Sequence, residues 1–253
     1  RALAFQVYLT ERPGHATDIS RKIASGGGEP RVLIVGGDGT FNEVANGLAG
    51  SDAIVYFASC GTGNDFVKAL NLPPDPIKAL RAQLSSPPRA IDAGMINERL
   101  FLNISSTGFD IEVLRQAQRY RARFKGLAAY LLGIFSALRH FRPVEVQITL
   151  GGKTFTRKLT LFEVANGRYF GGGMLVAPSA DPTDGLFDVV YVDAISPSKI
   201  PMLLPAFVAG KFLSLPIVHT LRADEVVIES PGMTVNLDGE LMQVNRAHFK
   251  ILP

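Results

Sequence analysis

The sequence lacks the features on which several common protein classes depend. Its single cysteine, Cys60, leaves no partner for an intrachain disulfide and too few thiolates for a cysteine-rich zinc site, which fits a reducing compartment. Cys60 is interpreted as a small buried filler, because no histidine lies close in sequence to activate it. The formal net charge of +3 does not indicate a nucleic-acid-binding protein. No signal peptide is visible, and we predict a cytoplasmic protein.

No apolar stretch is long and uninterrupted enough to cross a bilayer, which takes about 20 residues. Residues 126–138 are nearly all apolar but too few. Residues 200–218 contain four residues that oppose a membrane span, namely Pro201, Pro205, Lys211 and Pro216. We therefore predict no transmembrane segment and read 200–218 as a helix of a soluble domain. Residues 126–138 are interpreted as a core-packing helix, with the wall of an apolar substrate cleft or a face on a membrane surface as alternatives.

Residues 31–48 combine a buried strand, a glycine-rich turn and an amphipathic helix. The strand is indicated by the apolar run 32–35, and the turn after it consists of Gly36, Gly37, Asp38 and Gly39. Apolar residues then recur at helical spacing, and Thr40 with Glu43 fits a capping box, so the helix is predicted to begin at Thr40. Glycines before a helix N-terminus expose unpaired backbone N–H groups, which predicts an anion site.

Asp38 does not fit simple anion binding, because its carboxylate would repel a bare phosphate. A negative side chain in this turn indicates a bridging cation, and Mg²⁺ with a nucleotide is the natural combination. The alternative is a tight strand–helix turn in which Asp38 caps a helix or hydrogen-bonds locally.

A second glycine-rich loop, residues 59–65, follows a predicted buried strand at 53–58 and precedes another helix. With a strand predicted at 2–9 and a helix at 15–24, the chain alternates strands and helices through short connections. This pattern predicts an α/β fold with a Rossmann-like, open, mostly parallel sheet. Because ligands bind at the carboxyl edge of such a sheet, the two loops predict a nucleotide cleft.

The second part of the chain differs in character, and we divide the sequence into domains at 1–90 and 91–253. After a long helical stretch predicted over 111–140, apolar and polar residues alternate with period two around the hairpin turn at 151–152. The second domain is therefore predicted to be antiparallel, β-rich and sandwich-like. The hydrophobic share of 47% supports a large core.

Two acidic turns in the second domain are candidate sites. Asp184 follows a glycine-dense stretch, where it and nearby main-chain carbonyls could bind Mg²⁺; a plain Asp-Gly turn is the alternative. Asp238 and Glu240 lie in a second turn, which is either an ordinary hairpin or the source of a proton acceptor for phosphoryl transfer.

Four motifs follow one another along the chain: GGDGTFNEVANGL at 36–48, GTGNDF at 61–66, ANG…GGG…AP.A…DG at 165–185 and LDGE at 237–240. Together they resemble the bacterial diacylglycerol/lipid kinase family, which is related to eukaryotic diacylglycerol and sphingosine kinases and more distantly to NAD kinases. The resemblance implies that ATP phosphorylates a lipid hydroxyl, that of diacylglycerol or a related lipid, with the nucleotide between the two domains. It also implies a lipid substrate reached at the inner membrane face by a peripheral protein.

The resemblance also assigns site residues. The nucleotide would be contacted by residues of the predicted first strand–turn and of the two glycine loops: Thr10, Gly36, Gly37, Asp38, Gly39, Thr40, Asn42, Glu43, Gly61, Thr62 and Asn64. Asp38 would lie near the catalytic Mg²⁺ and phosphate. A structural Mg²⁺ would be held by Asp184 with the carbonyls of Asp181 and Leu186. The general base would be Asp238 or Glu240, and both are carried as candidates.

The chain departs from the family pattern at both ends, since an opening strand with an Asn-Pro-x-Ser-Gly motif and a C-terminal extension are not found. We therefore expect residues to be missing there. Two other functions remain: an NAD-kinase-like enzyme with a soluble substrate, and a catalytically idle module that binds lipid or nucleotide. The apolar stretches favour a lipid, and the carboxylates argue against an idle module. The basic run 119–125 contacts phosphates or anionic lipid, or is a solvated helix face.

Overall fold

The computed structural model describes residues 4–61, 63–120, 123–124, 127–208 and 210–253. The described chain begins with an α/β unit that contains, in order, α1 His15–Ser25, β1 Arg31–Gly36, α2 Asp38–Leu48, β2 Ile54–Ser59, α3 Asp65–Ala69 and α4 Pro76–Leu84. Its core is apolar and rich in aromatic rings: Phe41 stacks on Phe57 with ring centroids 4.6 Å apart and lies 5.5 Å from Phe66. The helices of this unit therefore pack on the strands as the apolar spacing of α2 predicts.

The sheet of this unit is smaller than predicted. β1 and β2 are parallel, in register from Arg31 opposite Ile54 to Gly36 opposite Ser59, and no third strand joins them within the described residues. The predicted strand at 2–9 is wrong for its described part, because residues 4–10 are exposed and adopt no strand structure. A strand needs a hydrogen-bonded neighbour, and these residues pair with none of the described strands. The Rossmann-like prediction is therefore confirmed only in part.

Helix α2 begins two residues earlier than the capping box predicts. Its first residue is Asp38, and no side chain caps it. Glu43 instead turns toward α1, where its carboxylate accepts hydrogen bonds from the backbone N–H groups of Gly14 at 2.9 Å and Ala16 at 3.1 Å. The T-x-x-E pattern therefore caps a neighbouring helix, because a carboxylate satisfies the free N–H groups of any helix start that it can reach.

The second part of the chain forms a nine-stranded antiparallel sheet. Its strands are β3 Ala93–Ile96, β4 Arg99–Phe101, β5 Ile104–Gly108, β6 Val144–Leu150, β7 Lys153–Ala165, β10 Phe187–Asp193, β11 Val218–Ala223, β12 Glu225–Leu237 and β13 Glu240–Leu252, while β8 Tyr169–Phe170 and β9 Met174–Leu175 pair separately. The long strands β7 and β12 each pair with both β5 and β6, so the sheet bends around one apolar core. The prediction of an antiparallel, β-rich second domain is confirmed. The division at residue 90 stays a prediction.

Three helices cover the outer face of this sheet: α5 Phe109–Tyr120, α6 Leu127–His140 and α7 Ile200–Val208. The helical stretch predicted over 111–140 consists of two helices, α5 and α6, which pack so closely that a Cβ on Gly133 would lie 2.9 Å from the Cβ of Ala117. The helix predicted over 200–218 ends near residue 208, since Gly210 has a positive φ of 66° and a short 3₁₀ turn, Phe212–Ser214, follows. No helix in the described parts of the chain is both long and apolar enough to cross a membrane.

Candidate active site

The two glycine-rich loops meet at the carboxyl ends of β1 and β2. A Cβ on Gly61 would lie 2.6 Å from the Cα of Gly37, and the Cys60 N–H donates to the Gly36 carbonyl at 2.7 Å. Only glycine fits where two backbones approach this closely. Cys60 itself is exposed, so its interpretation as a buried filler is wrong.

Asp38 joins these two loops through its side chain. Its carboxylate accepts the backbone N–H of Asp65 at 2.9 Å and that of Phe66 at 3.3 Å, at the start of α3. Burial raises the pKa of Asp38, while the hydrogen bond from Asp65 works against that rise. These contacts are long-range: Asp38 caps the start of α3, which agrees with the capping alternative and not with local hydrogen bonding, while Asp38 is itself the first residue of α2.

The remaining residues of the first loop lie around that helix start. Gly39 is exposed, with open space where a Cβ would be, and the N–H groups of the first turn have no partners within the helix. The Thr40 side chain folds back over Gly36. A Cβ on Gly36 would lie 2.8 Å from the Thr40 hydroxyl oxygen. Glu43 faces α1, and Thr10 is exposed in the extended segment before that helix.

The second loop contributes a basic group that sequence analysis missed. Lys68 donates from Nζ to the Gly63 carbonyl at 3.0 Å and to Asp65 at 2.9 Å, and its ammonium lies 5.8 Å from the ring centroid of Tyr169. Asn64 donates to the Gly61 carbonyl at 2.9 Å and has a positive φ of 50°. Lys68 lies three positions after Asp65, the last residue of the GTGND motif. On a helix this spacing brings the two side chains together, and it was the sequence signal for a basic group at this loop. Thr62 lies outside the described residues.

Asp238 connects the second domain to α2. Its carboxylate accepts three backbone N–H groups, from Leu102 at 2.7 Å and from Asn103 and Ile104 at 3.0 Å, together with the side-chain amide of Asn42 at 2.9 Å. Burial raises the pKa of Asp238, and these four donors work against that rise. The four bonds occupy the carboxylate, which makes Asp238 an anchor between the two units.

Glu240 has a different environment although it is only two residues away. Its side chain is exposed, and Arg99 donates to Oε2 at 2.7 Å. Asn46 also bridges the units, since it donates to the Leu100 carbonyl and accepts the Leu100 N–H, both at 3.0 Å. The LDGE turn therefore lies beside the first turns of α2, with Glu240 as its accessible carboxylate.

The three predicted metal ligands share one loop. The Asp184 N–H donates to the Asp181 carbonyl at 3.3 Å, and the Leu186 N–H donates to Asp184 Oδ1 at 3.0 Å. Arg222 contacts Asp184 Oδ2, and its Nε lies 3.5 Å from Asp188 Oδ2. No cluster of three or more His, Cys, Asp or Glu side chains occurs among the described residues, so a metal here would need main-chain carbonyls.

This loop nevertheless fits a hard cation. Two carboxylates and the main-chain carbonyls are the oxygen donors that Mg²⁺ prefers. Asp188 Oδ2 is buried without a hydrogen bond, and one guanidinium leaves the pair of carboxylates with net negative charge. Arg222 would have to release Asp184 for a cation to bind.

An apolar cavity lies between the sheet of the second domain and helices α5, α6 and α7. Its walls include Phe109, Ile134, Phe170, Leu204 and Phe212, and the partly exposed residues Leu203, Leu215 and Ile217 lie toward the surface. Three polar residues also line it: Asp110, Thr160 and Glu163. Within the stretch 126–138 that was interpreted as core packing, Ile134 is buried in the core and also lines the cavity, while residue 126 lies outside the described residues.

Two family models match successive parts of the chain. Residues 1–96 match the diacylglycerol kinase catalytic domain, and residues 103–253 match the YegS C-terminal NAD kinase beta sandwich-like domain. The chain is 33% identical to a diacylglycerol kinase of Mycobacterium tuberculosis over 233 residues, which cover 89% of the chain and 75% of the relative. It is 32% identical to a protein of Pseudomonas putida named "Probable lipid kinase YegS-like" over 242 residues, 94% of the chain and 80% of the relative.

Solved structures share the same fold. A crystal structure of a diacylglycerol kinase from Bacillus anthracis superimposes with a TM-score of 0.69. The match covers 96% of the chain and 80% of that structure at 21% identity. The two-unit architecture is therefore shared over almost the whole chain.

Proposed function

The chain belongs to the diacylglycerol kinase family of lipid kinases with a YegS-type second domain, and on this premise we propose that it transfers the γ-phosphoryl group of ATP to the hydroxyl of diacylglycerol or a related neutral lipid. The observation that carries the choice of a lipid is the apolar cavity of the second domain. An acyl chain needs such a lining, whereas a soluble acceptor such as NAD does not.

The nucleotide phosphates bind where the two glycine loops meet. The open N-terminal turn of α2 offers free N–H groups and the positive end of the helix dipole, and Lys68 adds a cation beside the second loop. Gly37, Gly39 and Gly61 let a phosphate approach the backbone. Thr10, Thr40 and Thr62 add hydroxyl donors, and Asn42, Asn64 and Glu43 hold the loops in place around them.

Metal ions would be held by Asp38 near the phosphates and by Asp184, with the Asp181 and Leu186 carbonyls, in the second domain. Bound Mg²⁺ would neutralise the charge that develops on the phosphate oxygens. Asp38 already organises the second loop through its bonds to Asp65 and Phe66, so its removal affects both loops.

Glu240 is the proton acceptor in this proposal, and Asp238 positions it. Four donors occupy the Asp238 carboxylate, while Glu240 is exposed and has a single ion pair with Arg99. A general base must reach the substrate hydroxyl, which favours the accessible carboxylate of the pair.

The protein reaches its substrate as a peripheral protein at the cytoplasmic face of a membrane. Helices α6 and α7, which line the cavity, expose Leu131 at 39%, Phe135 at 58% and Met202 at 78%. Arg139 on α6 and Lys199, which directly precedes α7, are also exposed. Apolar side chains flanked by cations suit the surface of an anionic bilayer, so the lipid enters the cavity from that side.

The dependence of turnover on acyl length tests this assignment. Acceptor glycerides with acyl chains of increasing length should show rising kcat/KM until the cavity is filled, because each added buried methylene contributes about 0.8 kcal/mol. NAD in the same assay should not be phosphorylated. Equal turnover of short and long acceptors, or transfer to NAD alone, would contradict the proposal.

A further inference from the structure

Two acidic side chains are buried in the wall of the apolar cavity, and the proposed transfer step uses neither. Glu163 on β7 is 1% exposed, and Asp110 at the start of α5 is 5% exposed. Ser106 on β5 is the register partner of Glu163, so the two side chains lie on the same face of the sheet. That face is the one covered by α5, which begins directly after β5.

Each of these two carboxyl groups keeps an oxygen without a partner. Asp110 Oδ2 accepts a hydrogen bond from the Ser106 hydroxyl, whose oxygen in turn accepts the Asn236 side-chain amide at 3.1 Å. Asp110 Oδ1 and Glu163 Oε2 are buried and accept no well-formed hydrogen bond from any described residue, although the backbone N–H groups of Asp110 and Ile111 lie near the Asp110 carboxylate and lower its pKa. Ser106 and Asn236 thus hold Asp110 through its Oδ2 atom. Asp110 and Glu163, which carry the unpaired oxygens, both line the cavity.

Buried acidic groups without hydrogen-bond partners destabilise the folded protein. A buried polar group without a partner costs about 1–3 kcal/mol, and an apolar side chain of similar size would remove that cost. Thr160, the third polar residue of the wall, shows the usual solution, because its hydroxyl donates to the Asp193 carbonyl and accepts the Ile195 N–H, both at 3.0 Å. Asp110 and Glu163 differ from Thr160 in that a ligand could complete their hydrogen bonds.

The protonation states of the pair make its two halves complementary. Burial raises the pKa of Glu163 to about 8, with the nearby charge of Asp110 as a second cause. Burial raises the pKa of Asp110 to about 6, and the Ser106 hydrogen bond opposes that rise. At neutral pH Glu163 therefore carries a proton to donate, and Asp110 offers an acceptor.

We propose that Glu163 and Asp110 bind the hydroxyl group of a neutral lipid whose chain lies in the cavity. The Glu163 carboxylic acid donates to the lipid oxygen, and Asp110 Oδ1 accepts the hydroxyl hydrogen. This inference rests on the proposed function for its substrate class. The pair holds the hydroxyl in a recognition complex and takes no part in transfer, so the same hydroxyl must leave the pair to reach Glu240 in the LDGE turn before it is phosphorylated.

A ligand series measures this recognition without catalysis. Decan-1-ol, decyl methyl ether and decylamine compete with a fluorescent fatty probe for the full chain, in the absence of ATP. The ether accepts a hydrogen bond but donates none, so decan-1-ol should bind about tenfold more tightly than the ether, as expected for one lost partner of a buried acceptor. Equal binding of the alcohol and the ether, or tightest binding of decylamine, would overturn the proposal.

Variants locate the effect at the pair. Asp110→Leu removes the acceptor and should abolish the preference for alcohol over ether. Glu163→Leu should weaken the binding of both the alcohol and the ether by about tenfold. Glu163→Gln should restore the binding of both, because the glutamine amide still donates a hydrogen bond. Thr160→Val is the matched control and should leave the alcohol-to-ether ratio unchanged. If Glu163→Leu and Glu163→Gln bind the alcohol equally well, the assigned donor is wrong.

The outcome is independent of the kinase assay. Lipid phosphorylation without any preference for the alcohol would reject the recognition site and leave the proposed function intact. A clear alcohol preference in a protein that phosphorylates no lipid would reject the proposed function and leave the recognition site.

Discussion

Asn42 on α2 donates a hydrogen bond to Asp238 in the LDGE turn across 2.9 Å, and this contact joins the two units of the chain. Asp238 also accepts the N–H groups of Leu102, Asn103 and Ile104, which lead into β5. The turn that supplies the proposed proton acceptor and the helix that is proposed to receive the phosphates are therefore held in one arrangement. Its consequences can be measured separately in stability and in turnover.

Asp238→Ala should destabilise the protein by about 3 kcal/mol or more. The substitution leaves three backbone N–H groups and the Asn42 amide without their acceptor, and each unsatisfied buried donor costs about 1–3 kcal/mol. Urea unfolding measures this loss. Glu240→Gln is the control and should change stability by less than about 1 kcal/mol, because it removes only an exposed ion pair. Equal losses in the two variants would show that Asp238 is no anchor.

Asp38→Ala should abolish phosphoryl transfer and also cost about 1 kcal/mol of stability. Its carboxylate caps the first N–H groups of α3, and loss of such a cap typically has this cost. Calorimetry and a transfer assay on the same preparation separate the two effects. Asp75→Ala removes a comparable cap on α4, where the carboxylate accepts the Lys78 N–H at 2.8 Å, and should lower stability while leaving turnover unchanged. Full activity of Asp38→Ala would remove Asp38 from the site.

Two glycine substitutions should separate loop packing from phosphate approach. A Cβ at Gly61 would meet the backbone of Gly37, so Gly61→Ala should lower both stability and nucleotide affinity. A Cβ at Gly39 would point into open space. Gly39→Ala should therefore weaken ATP binding by about tenfold or more, while the melting temperature stays within a few degrees of that of the unchanged protein. Titration with ATP and thermal unfolding provide the two readouts. If Gly39→Ala binds ATP as the unchanged chain does, phosphate does not approach there.

Replacing Glu163 should flatten the pH dependence of stability. The folded-state pKa of Glu163, about 8, lies above its ordinary value of 4.5, so its acid form is favoured in the folded protein. Stability is therefore fully present below pH 4.5 and declines by a few kcal/mol as pH rises toward 8, at about 1.4 kcal/mol per unit of pKa difference.

Denaturant unfolding from pH 5 to pH 8 measures this decline. Glu163→Gln should lose much less stability over that range, and the remaining change should include Asp110, whose pKa is raised to about 6. Parallel curves for the two proteins would mean that Glu163 is not buried as an acid.

Local sequence patterns predicted much of the fold. The apolar run before Gly36, the helical spacing after it and the hairpin turn at Gly151 and Gly152 depend only on neighbours along the chain, and β1, α2, β6 and β7 confirm them. The strand predicted at 2–9 failed because a strand also needs a partner, which the pattern of its own residues does not specify. The start of α2 was misplaced for a similar reason, since Glu43 caps a helix nearly thirty positions earlier.

The site residues that the motifs name stay predictions, and the structure adds only their surroundings. The motifs identified Asp38, Asp184, Asp238 and Glu240, yet only tertiary contacts distinguish the enclosed Asp238 from the accessible Glu240. Glu163 was missed because its neighbours read as a plain strand. Its signal was a single acid within the apolar run at 159–165, and its burial depends on α5 and the cavity above it.

The most direct test of the account follows γ-labelled ATP on vesicles that contain diacylglycerol and an anionic lipid, with NAD present as a competing acceptor. We expect labelled phosphatidic acid and no labelled NAD. Glu240→Gln should lower kcat about a hundredfold or more, while the KM for ATP stays within about twofold. Label on NAD with none on any lipid, or full turnover by Glu240→Gln, would contradict it.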